Sequence, residues 1–229
     1  MGERPYILLS CSISLDGYLD SAGEGRLILS NDADFDRVDE VRAGCDAILV
    51  GAATVRNDDP RLLIRAEHRR LRRSAEGRPE APVKVTLSSR GELSPHARFF
   101  TLGDGEKIVY CPDATVAALE SRIGSLAKVV GLGAEVEMAD LAADLWSRGV
   151  RRLMVEGGGS VHTQFLATGL ADELQLVVAP FFVGDSRARR FVGDAAFPWC
   201  AERRAELVES RAIGDVALLR YALSDRFAG

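Results

Sequence analysis

The chain has 229 residues, of which 47% are hydrophobic and 28% charged, enough for one large α/β domain or two small ones. A formal net charge of −5 leaves no basic excess to neutralise nucleic-acid phosphates, and no apolar run reaches the roughly 20 residues that span a bilayer. The four cysteines and three histidines have no metal-ligand spacing, and the N-terminus lacks the apolar run of a signal peptide. We therefore expect a cytoplasmic protein with reduced thiols, no bound metal, and no nucleic-acid or membrane partner.

The first half of the chain alternates apolar runs with amphipathic segments. Four runs are predicted as strands: 6–14, 46–51, 83–87 and 107–110. Ser30 or Asn31 can cap a helix that ends at Gly44, and a second helix starts at Ala52. Residues 66–82 are basic and almost without apolar periodicity, which is typical of a solvated, flexible loop or a frayed helix. The alternative for this segment is an electrostatic guide for an anionic cofactor.

The second half continues the alternation and ends differently. Helices are predicted over 113–125, 139–147 and 161–168, and strands over 129–130, 153–155 and 174–178. The last two predicted strands, 205–211 and 216–223, are joined around Gly214-Asp215 and form a hairpin. The sequence therefore predicts an α/β fold whose central sheet is mixed, mostly parallel, with a C-terminal antiparallel hairpin.

The segment Glu156-Gly157-Gly158-Gly159-Ser160 follows a buried strand and precedes a helix. Three glycines let another body approach the main chain closely, and the helix start attracts anions. One interpretation is a binding loop for a phosphorylated cofactor, with Glu156 facing the group that reacts. The other is a tight strand-to-helix turn, and the pattern alone does not decide between them.

Other polar residues stand where predicted strands or helices end. Thr54 and Asp58 lie one helical turn apart and could hold the sugar hydroxyls or amide of a cofactor. Ser10 and Ser12 are small enough to leave room for a flat ligand beside the first strand, although a serine-rich strand packed on a helix fits equally well. Arg42, in the last turn of its helix, either complements the helix dipole or grips an anion.

Seven short sequence segments occur in order along nearly the whole chain, and their combination is specific for one protein family. They are Ser14-Leu15-Asp16-Gly17, Arg42-Ala43, Val50-Gly51 through Thr54-Val55, Asp58-Asp59-Pro60-Arg61-Leu62, Glu156-Gly157-Gly158-Gly159-Ser160, Gly169-Leu170-Ala171-Asp172-Glu173, and Ala179-Pro180 with Gly184. With them the chain resembles the reductase of riboflavin biosynthesis, which is also the C-terminal half of the bacterial bifunctional deaminase–reductase. The resemblance implies a three-layer dihydrofolate-reductase-like fold, one reductase domain over 1–229, and a homodimer. It also implies NADPH-dependent reduction of the ribosyl group of a pyrimidine 5′-phosphate to a ribityl group.

The resemblance also implies a role for individual residues. Cofactor contacts are implied for Ser12, Leu27, Thr54, Asp58, Ser89, Gly157, Gly158, Gly159, Ser160, Val161, His162, Thr163 and Gln164. The substrate's 5′-phosphate would be held by Arg42 and Arg65, together with the main chain at Gly25 and Leu62. Glu156 corresponds to a substrate-contacting carboxylate, and it and Ser10 are the catalytic candidates, since a side chain at position 10 would lie near the sugar.

Departures from the family pattern limit these assignments. Ser10 stands where relatives often have Lys or Asn, and Ser88 replaces a common Asp. No zinc signature of the deaminase half is present, which indicates a stand-alone reductase. Two alternatives remain: a reductase of the same fold that acts on a pterin or another carbonyl or imine, and a nucleotide-binding module without turnover. The pair Arg42 and Arg65 favours a phosphorylated substrate, because other substrates do not require it.

Overall fold

A computed structural model of the protein describes residues 3–23 and 27–227. Within those ranges the strands are β1 (Tyr6–Ser14), β2 (Ala47–Gly51), β3 (Val83–Leu87), β4 (Lys107–Cys111), β5 (Lys128–Gly131), β6 (Arg152–Gly157), β7 (Glu173–Ala179), β8 (Glu206–Ile213) and β9 (Val216–Ala222). The helices there are α1 (Asp32–Gly44), α2 (Ala52–Asp58), α3 (Glu67–Ala75), α4 (Arg98–Thr101), α5 (Val116–Ile123), α6 (Met138–Ser147) and α7 (Gly159–Ala167), with a short 3-10 helix at Asp113–Thr115 before α5. None of these helices is long and apolar enough to cross a membrane.

The strands form one mixed sheet in the order β5-β4-β3-β2-β6-β1-β7-β9-β8. Strands β2 to β5 pair in parallel, as do β1 and β7. Strand β9 runs antiparallel to both β7 and β8. The predicted mixed, mostly parallel sheet with a C-terminal antiparallel hairpin is therefore confirmed.

The chain divides into two compact units, and the first consists of residues 1–5 and 39–154. Its strand β2 is apolar along its length, and Ile48 and Leu49 on it, like Val85 on β3, are fully buried. Parallel strands covered on both faces read as continuous apolar runs. Strand β2 could be predicted from such a run, whereas β3 was predicted from its alternation of apolar and polar residues.

The second unit consists of residues 6–38 and 155–229. Its strand β1 begins with a fully buried apolar run that includes Ile7, Leu8 and Leu9. A cluster of buried residues (Leu29, Val177, Ala179, Ile213, Val216 and Leu218) joins β7 to the C-terminal hairpin, with Leu27 and Phe181 packed against it. The hairpin thus has an apolar anchor on β7.

Asn31, and not Ser30, caps α1. The Asp34 main-chain N–H donates to Asn31 Oδ1 at 2.9 Å, which satisfies one of the unpaired donors at the helix start. The Ser30 hydroxyl instead lies 2.8 Å from the Ser12 hydroxyl on β1. Asn31 is therefore the helix cap, and Ser30 contacts strand β1 instead.

The segment 66–82, predicted as a flexible loop or a frayed helix, is helical over Glu67–Ala75 (α3), so the loop alternative is wrong there. Arg69 and Arg73 are buried despite their charge. The Arg73 guanidinium donates to the carbonyls of Ala43, at 2.8 Å, and Cys45, at 2.7 Å. Carbonyls at a helix end have no intrahelical donor, so this arginine replaces the missing partners. The helix docks through charge and hydrogen bonds, and for this reason no apolar stripe marks it in the sequence.

Candidate active site

In the first unit, the structure brings the two arginines predicted to hold the phosphate onto adjoining segments. The Arg42 guanidinium, in the last turn of α1, donates to the Leu63 carbonyl at 3.2 Å. The main-chain N–H of Arg65 donates to the Asp39 carboxylate at 2.6 Å, one turn earlier on the same helix. The Arg65 side chain is exposed and that of Arg42 is half-buried. These contacts hold the main chain of Leu63 and Arg65 against the last turns of α1, the helix that carries Arg42.

The turn that leads to these arginines has an unusual backbone. Asp59 has φ of 41° and Leu62 has φ of 48°, a conformation that residues other than glycine rarely adopt. The Asp59 carboxylate accepts the Arg98 main-chain N–H at 2.6 Å, and the Leu62 side chain is buried. Such outliers persist only where surrounding contacts hold them, and they cluster at functional sites. Because the Leu62 side chain is buried, its predicted contact with substrate can involve only the main chain.

Three predicted cofactor residues of the first unit lie at the carboxyl edge of their strands. Helix α2, which carries Thr54 and Asp58, begins directly after β2, and Ser89 follows β3 by two residues. Strands β2 and β3 are parallel neighbours with Gly51 opposite Leu87, so the start of α2 and the turn at Ser89 are at the same edge. Ligands of open α/β sheets bind at this edge. The cofactor assignment of these three residues stays a prediction.

In the second unit, the predicted residues of β1 differ in accessibility. Ser10 is only 5% exposed, whereas Ser12 is half-buried and lies 2.8 Å, oxygen to oxygen, from the Ser30 hydroxyl. Leu27 packs against the apolar cluster beside β7. Gly25, whose main chain was predicted to contact the substrate's phosphate, lies outside the described residues. Catalysis by Ser10 stays a prediction, and its burial limits direct contact with a substrate.

The glycine loop joins β6 to α7 in the second unit. Glu156 is the penultimate residue of β6 and is half-buried, and Gly157 has φ of 127°, which favours glycine. A Cβ on Gly159 would lie 2.5 Å from the Arg190 carbonyl oxygen, so only glycine fits there. The main-chain N–H groups of Val161 and His162 both point back to the Gly158 carbonyl, which marks the start of the helix. The loop thus offers a bare main chain and a helix N-terminus, which suits an anionic group.

Side chains of the first turns of α7 divide into exposed and buried sets. Ser160 and Gln164 are exposed, and Thr163 is half-buried. The Thr163 hydroxyl donates to the Gly159 carbonyl at 2.7 Å and accepts the Gly193 N–H at 2.9 Å. The side chains of Val161 and His162 are buried, so their predicted lining of a cofactor can hold for the main chain alone.

Asp16 is a residue whose role the sequence did not reveal. Its carboxylate accepts hydrogen bonds from the Ser14 hydroxyl and from the main-chain N–H groups of Val183 and Gly184, at 3.0 and 2.8 Å for the latter two. The Ser14 hydrogen bond, followed by those of the two amides, lowers the pKa of Asp16 to about 2. The carboxylate therefore fastens the turn after β1 to the segment after β7. The only sequence signal was that both pieces belong to the same family pattern.

Each unit by itself offers groups that suit part of a nucleotide. The glycine loop and the start of α7 supply main-chain donors for phosphate, and Thr54 and Asp58 supply polar groups for sugar hydroxyls. In the described part of the chain, no group of three or more His, Cys, Asp or Glu could hold a metal ion.

Comparisons with known proteins agree with one another on the family to which the sequence is similar. Residues 5–219 match the family described as the RibD C-terminal domain. The 2,5-diamino-6-ribosylamino-4(3H)-pyrimidinone 5′-phosphate reductase of Methanothermobacter thermautotrophicus is 35% identical over 228 residues, which are 96% of this chain and 99% of that protein. The protein of the same name from Archaeoglobus fulgidus is 34% identical over 183 residues, or 79% of this chain and 83% of that one.

Solved structures show the same fold. A pyrimidine reductase-like protein from Corynebacterium diphtheriae superposes with a TM-score of 0.79 at 22% identity, covering 95% of this chain and 91% of that chain. RibD of Acinetobacter baumannii gives a TM-score of 0.76 at 26% identity, covering 96% of this chain and 58% of that one. The first likeness, at its low identity, bears on the fold alone.

Proposed function

The chain belongs to the RibD C-terminal domain family, and from that premise we propose that it is an oxidoreductase of riboflavin biosynthesis. It reduces the ribosyl group of 2,5-diamino-6-ribosylamino-4(3H)-pyrimidinone 5′-phosphate, or of the deaminated counterpart, to the ribitylamino product. Two relatives at 34% and 35% identity bear the name of the first reaction. The chain acts as one reductase domain, in the cytoplasm.

The observation that carries this proposal is the placement of Arg42 and Arg65. Both guanidinium groups belong to segments that meet at the last turns of α1, and Asp39 fixes the main chain of Arg65 there. Arginine matches phosphate oxygens with two parallel N–H groups. The pair therefore holds the 5′-phosphate, which a pterin substrate would not require.

NADPH is the proposed cofactor, and it supplies the hydride when bound. In the second unit the glycine loop and the start of α7 hold its pyrophosphate, and Ser12 and Leu27 line it. In the first unit Thr54, Asp58 and Ser89 contact it. A protein that uses such a cofactor contributes mainly binding, orientation and electrostatics.

The substrate must open its sugar ring to an imine before C1′ can accept hydride. The imine nitrogen then gains the electron pair of the double bond and takes a proton. Glu156 binds the edge of the pyrimidine and fixes its orientation. Ser10 or a water near the sugar donates the proton to the imine nitrogen. Correct orientation of donor and acceptor carbons, about 3–3.5 Å apart, could supply most of the acceleration.

The proposal is tested by giving the purified protein NADPH and the diamino pyrimidine phosphate and following NADPH oxidation by absorbance. We expect turnover, a lower rate with NADH, and no turnover with the dephosphorylated substrate. The deaminated phosphate, tested in parallel, shows which form is preferred. A protein that binds NADPH and turns over neither phosphate would contradict the proposed function and favour a nucleotide-binding module.

Replacement of Arg65 by alanine is expected to raise the KM for the phosphorylated substrate about tenfold, equivalent to about 1.4 kcal/mol of binding. The kcat should change much less, because the phosphate is remote from C1′. Steady-state kinetics of Arg65→Ala and Arg61→Ala provide the comparison. Arg61 is a neighbouring exposed arginine that serves as the control, and an unchanged KM in Arg65→Ala would remove Arg65 from the phosphate site.

We also propose that the protein is a homodimer. Exposed apolar side chains of the second unit include Phe182, at 72% exposure, and Ile28, at 68%. The proposal rests on the family resemblance, and these side chains are the candidates for burial in an interface. Light scattering should give twice the mass of the chain for the wild type and a smaller mass for Phe182→Asp. A wild-type protein of monomer mass would refute the dimer.

A further inference from the structure

His162 is a buried imidazole without a hydrogen-bond partner. It lies in the first turn of α7 with no exposed surface, and within the described residues neither Nδ1 nor Nε2 has a partner. Buried polar atoms are nearly always paired, because an unpaired one loses its hydrogen bonds to water without replacement. A ring that only filled space could be phenylalanine at no such cost.

The imidazole is directed at the glycine loop. A Cβ built on Gly157 would lie 3.5 Å from His162 Nε2, so this nitrogen sits against the Gly157 α-carbon. The ring also contacts Phe191, with centroids 5.4 Å apart and planes at 56°. The imidazole therefore lies against both an aromatic ring and the loop proposed to hold pyrophosphate.

The ring is neutral at physiological pH. Burial lowers the pKa of His162 to about 4, and no charged group contributes to this shift. A neutral imidazole has one N–H donor and one acceptor nitrogen. It can therefore form a hydrogen bond with a main-chain N–H or a carbonyl without bringing a second charge into the site.

We propose that His162 is a positioning residue that binds the main chain of Gly157–Gly159 when the cofactor's pyrophosphate occupies the loop. The inference rests on the proposed function. Phosphate recruits main-chain N–H groups of the loop, and a peptide group of the same segment turns to the imidazole and becomes its partner. The hydrogen bond that is missing in the free protein then contributes to cofactor affinity.

Nitrogen-15 NMR of the histidine side chains, with NADP⁺ added stepwise, tests this directly on the wild-type protein. The exposed His68 and His96 are the internal controls. In the free protein His162 should give the shifts of a neutral ring without hydrogen bonds and should not titrate above about pH 5. Saturation with NADP⁺ should shift one His162 nitrogen to the hydrogen-bonded range, with His68 and His96 unchanged. A ring that is already hydrogen-bonded without NADP⁺, or one that saturation leaves unchanged, would overturn the proposal.

Two variants supply a second readout. His162→Phe should raise the Kd for NADP⁺ about tenfold without lowering Tm, because an unpaired polar ring is replaced by an apolar one. His162→Gln keeps a donor and an acceptor and should recover part of the affinity. A Phe variant that binds NADP⁺ as the wild type does refutes the proposal, and one that fails to fold leaves the NMR result on the wild type to decide. Normal NADP⁺ responses without pyrimidine reduction would contradict the proposed function alone.

Discussion

Replacement of Asp39 by alanine is expected to lower the free energy of unfolding by about 3–5 kcal/mol, because it breaks a buried ion pair from one side. Asp39 is 1% exposed, and its carboxylate makes four contacts that hold the segment after α2 against α1. Main-chain N–H groups of Arg65 and Ala66 donate to it at 2.6 and 3.1 Å. The Arg69 guanidinium donates at 2.9 Å, and Arg65 Nε lies 3.8 Å away. Without the carboxylate, the buried Arg69 loses a charged partner and two amides lose their acceptor.

The pKa of Asp39 gives the same picture. Burial alone would raise it, but the hydrogen bonds from the two amides and from Arg69 outweigh burial and hold the pKa below its usual range. A carboxylate with a lowered folded-state pKa stabilises the protein above its unfolded pKa of about 4, and this stability is lost as the pH falls below that value. The Asp39→Ala variant should therefore lose less stability than the wild type between about pH 5 and pH 3.

Denaturant unfolding of Asp39→Ala and Glu40→Gln measures the effect. Glu40 pairs with Arg69 at 2.8 Å and with Arg72 at 2.6 Å, but its side chain is 47% exposed. Exposed pairs contribute about 0–1 kcal/mol, so Glu40→Gln is the matched control for loss of charge alone. Equal losses in the two variants would contradict the view that buried hydrogen bonds to the main chain, more than charge, dominate at Asp39.

Asp39 also connects stability with the proposed activity. Its carboxylate fixes the main chain of Arg65, whose exposed side chain is the proposed phosphate ligand. At a temperature where the variant remains folded, Asp39→Ala should raise the KM for phosphorylated substrate. An effect on kcat alone would indicate a different route of action.

Helix α3 shows what limited the prediction of the fold. A strand such as β2 could be predicted from its apolar run, because its residue types by themselves indicate that they are buried. In α3 the buried residues are arginines, and only their partners on α1 and after it decide that they are buried. Those partners, Asp39 and Ala43, are some 30 residues away along the chain. Local sequence carries no record of such pairing, so the segment had the composition of a loop.

The candidate site was predictable where its chemistry is local. The three glycines at the junction of β6 and α7 indicate an open main chain by themselves, and Thr54 and Asp58 share a helix face through their spacing alone. Asp16 was missed because its partners, Val183 and Gly184, come from the segment after β7. For His162 the resemblance suggested a contact with the cofactor, whereas the structure shows a buried ring. Burial of a polar side chain depends on the whole fold and cannot be predicted from the residues next to it in the sequence.

Gly159 is closely approached by another segment of the chain, and Gly159→Ala is expected to destabilise the protein by about 1–3 kcal/mol. Its added Cβ would lie 2.5 Å from the Arg190 carbonyl oxygen, which is main chain and cannot rotate away. Alanine is the better helix former by about 1 kcal/mol, so any loss of stability must come from this contact. To relieve it, the segment around Arg190 must move away from the start of α7, taking with it the Gly193 N–H that binds Thr163. The Kd for NADP⁺ should therefore rise about tenfold.

Gly44→Ala is the matched control for this prediction. Gly44 ends α1, and a Cβ there would meet no atom of the described chain within 4 Å. Its replacement should leave NADP⁺ affinity unchanged and shift the free energy of unfolding by no more than about 1 kcal/mol. Thermal unfolding and NADP⁺ titration of both variants distinguish a steric contact at the loop from a general effect of removing glycine. If Gly159→Ala bound NADP⁺ as tightly as Gly44→Ala, the close approach of Arg190 to the glycine loop would not matter for the cofactor.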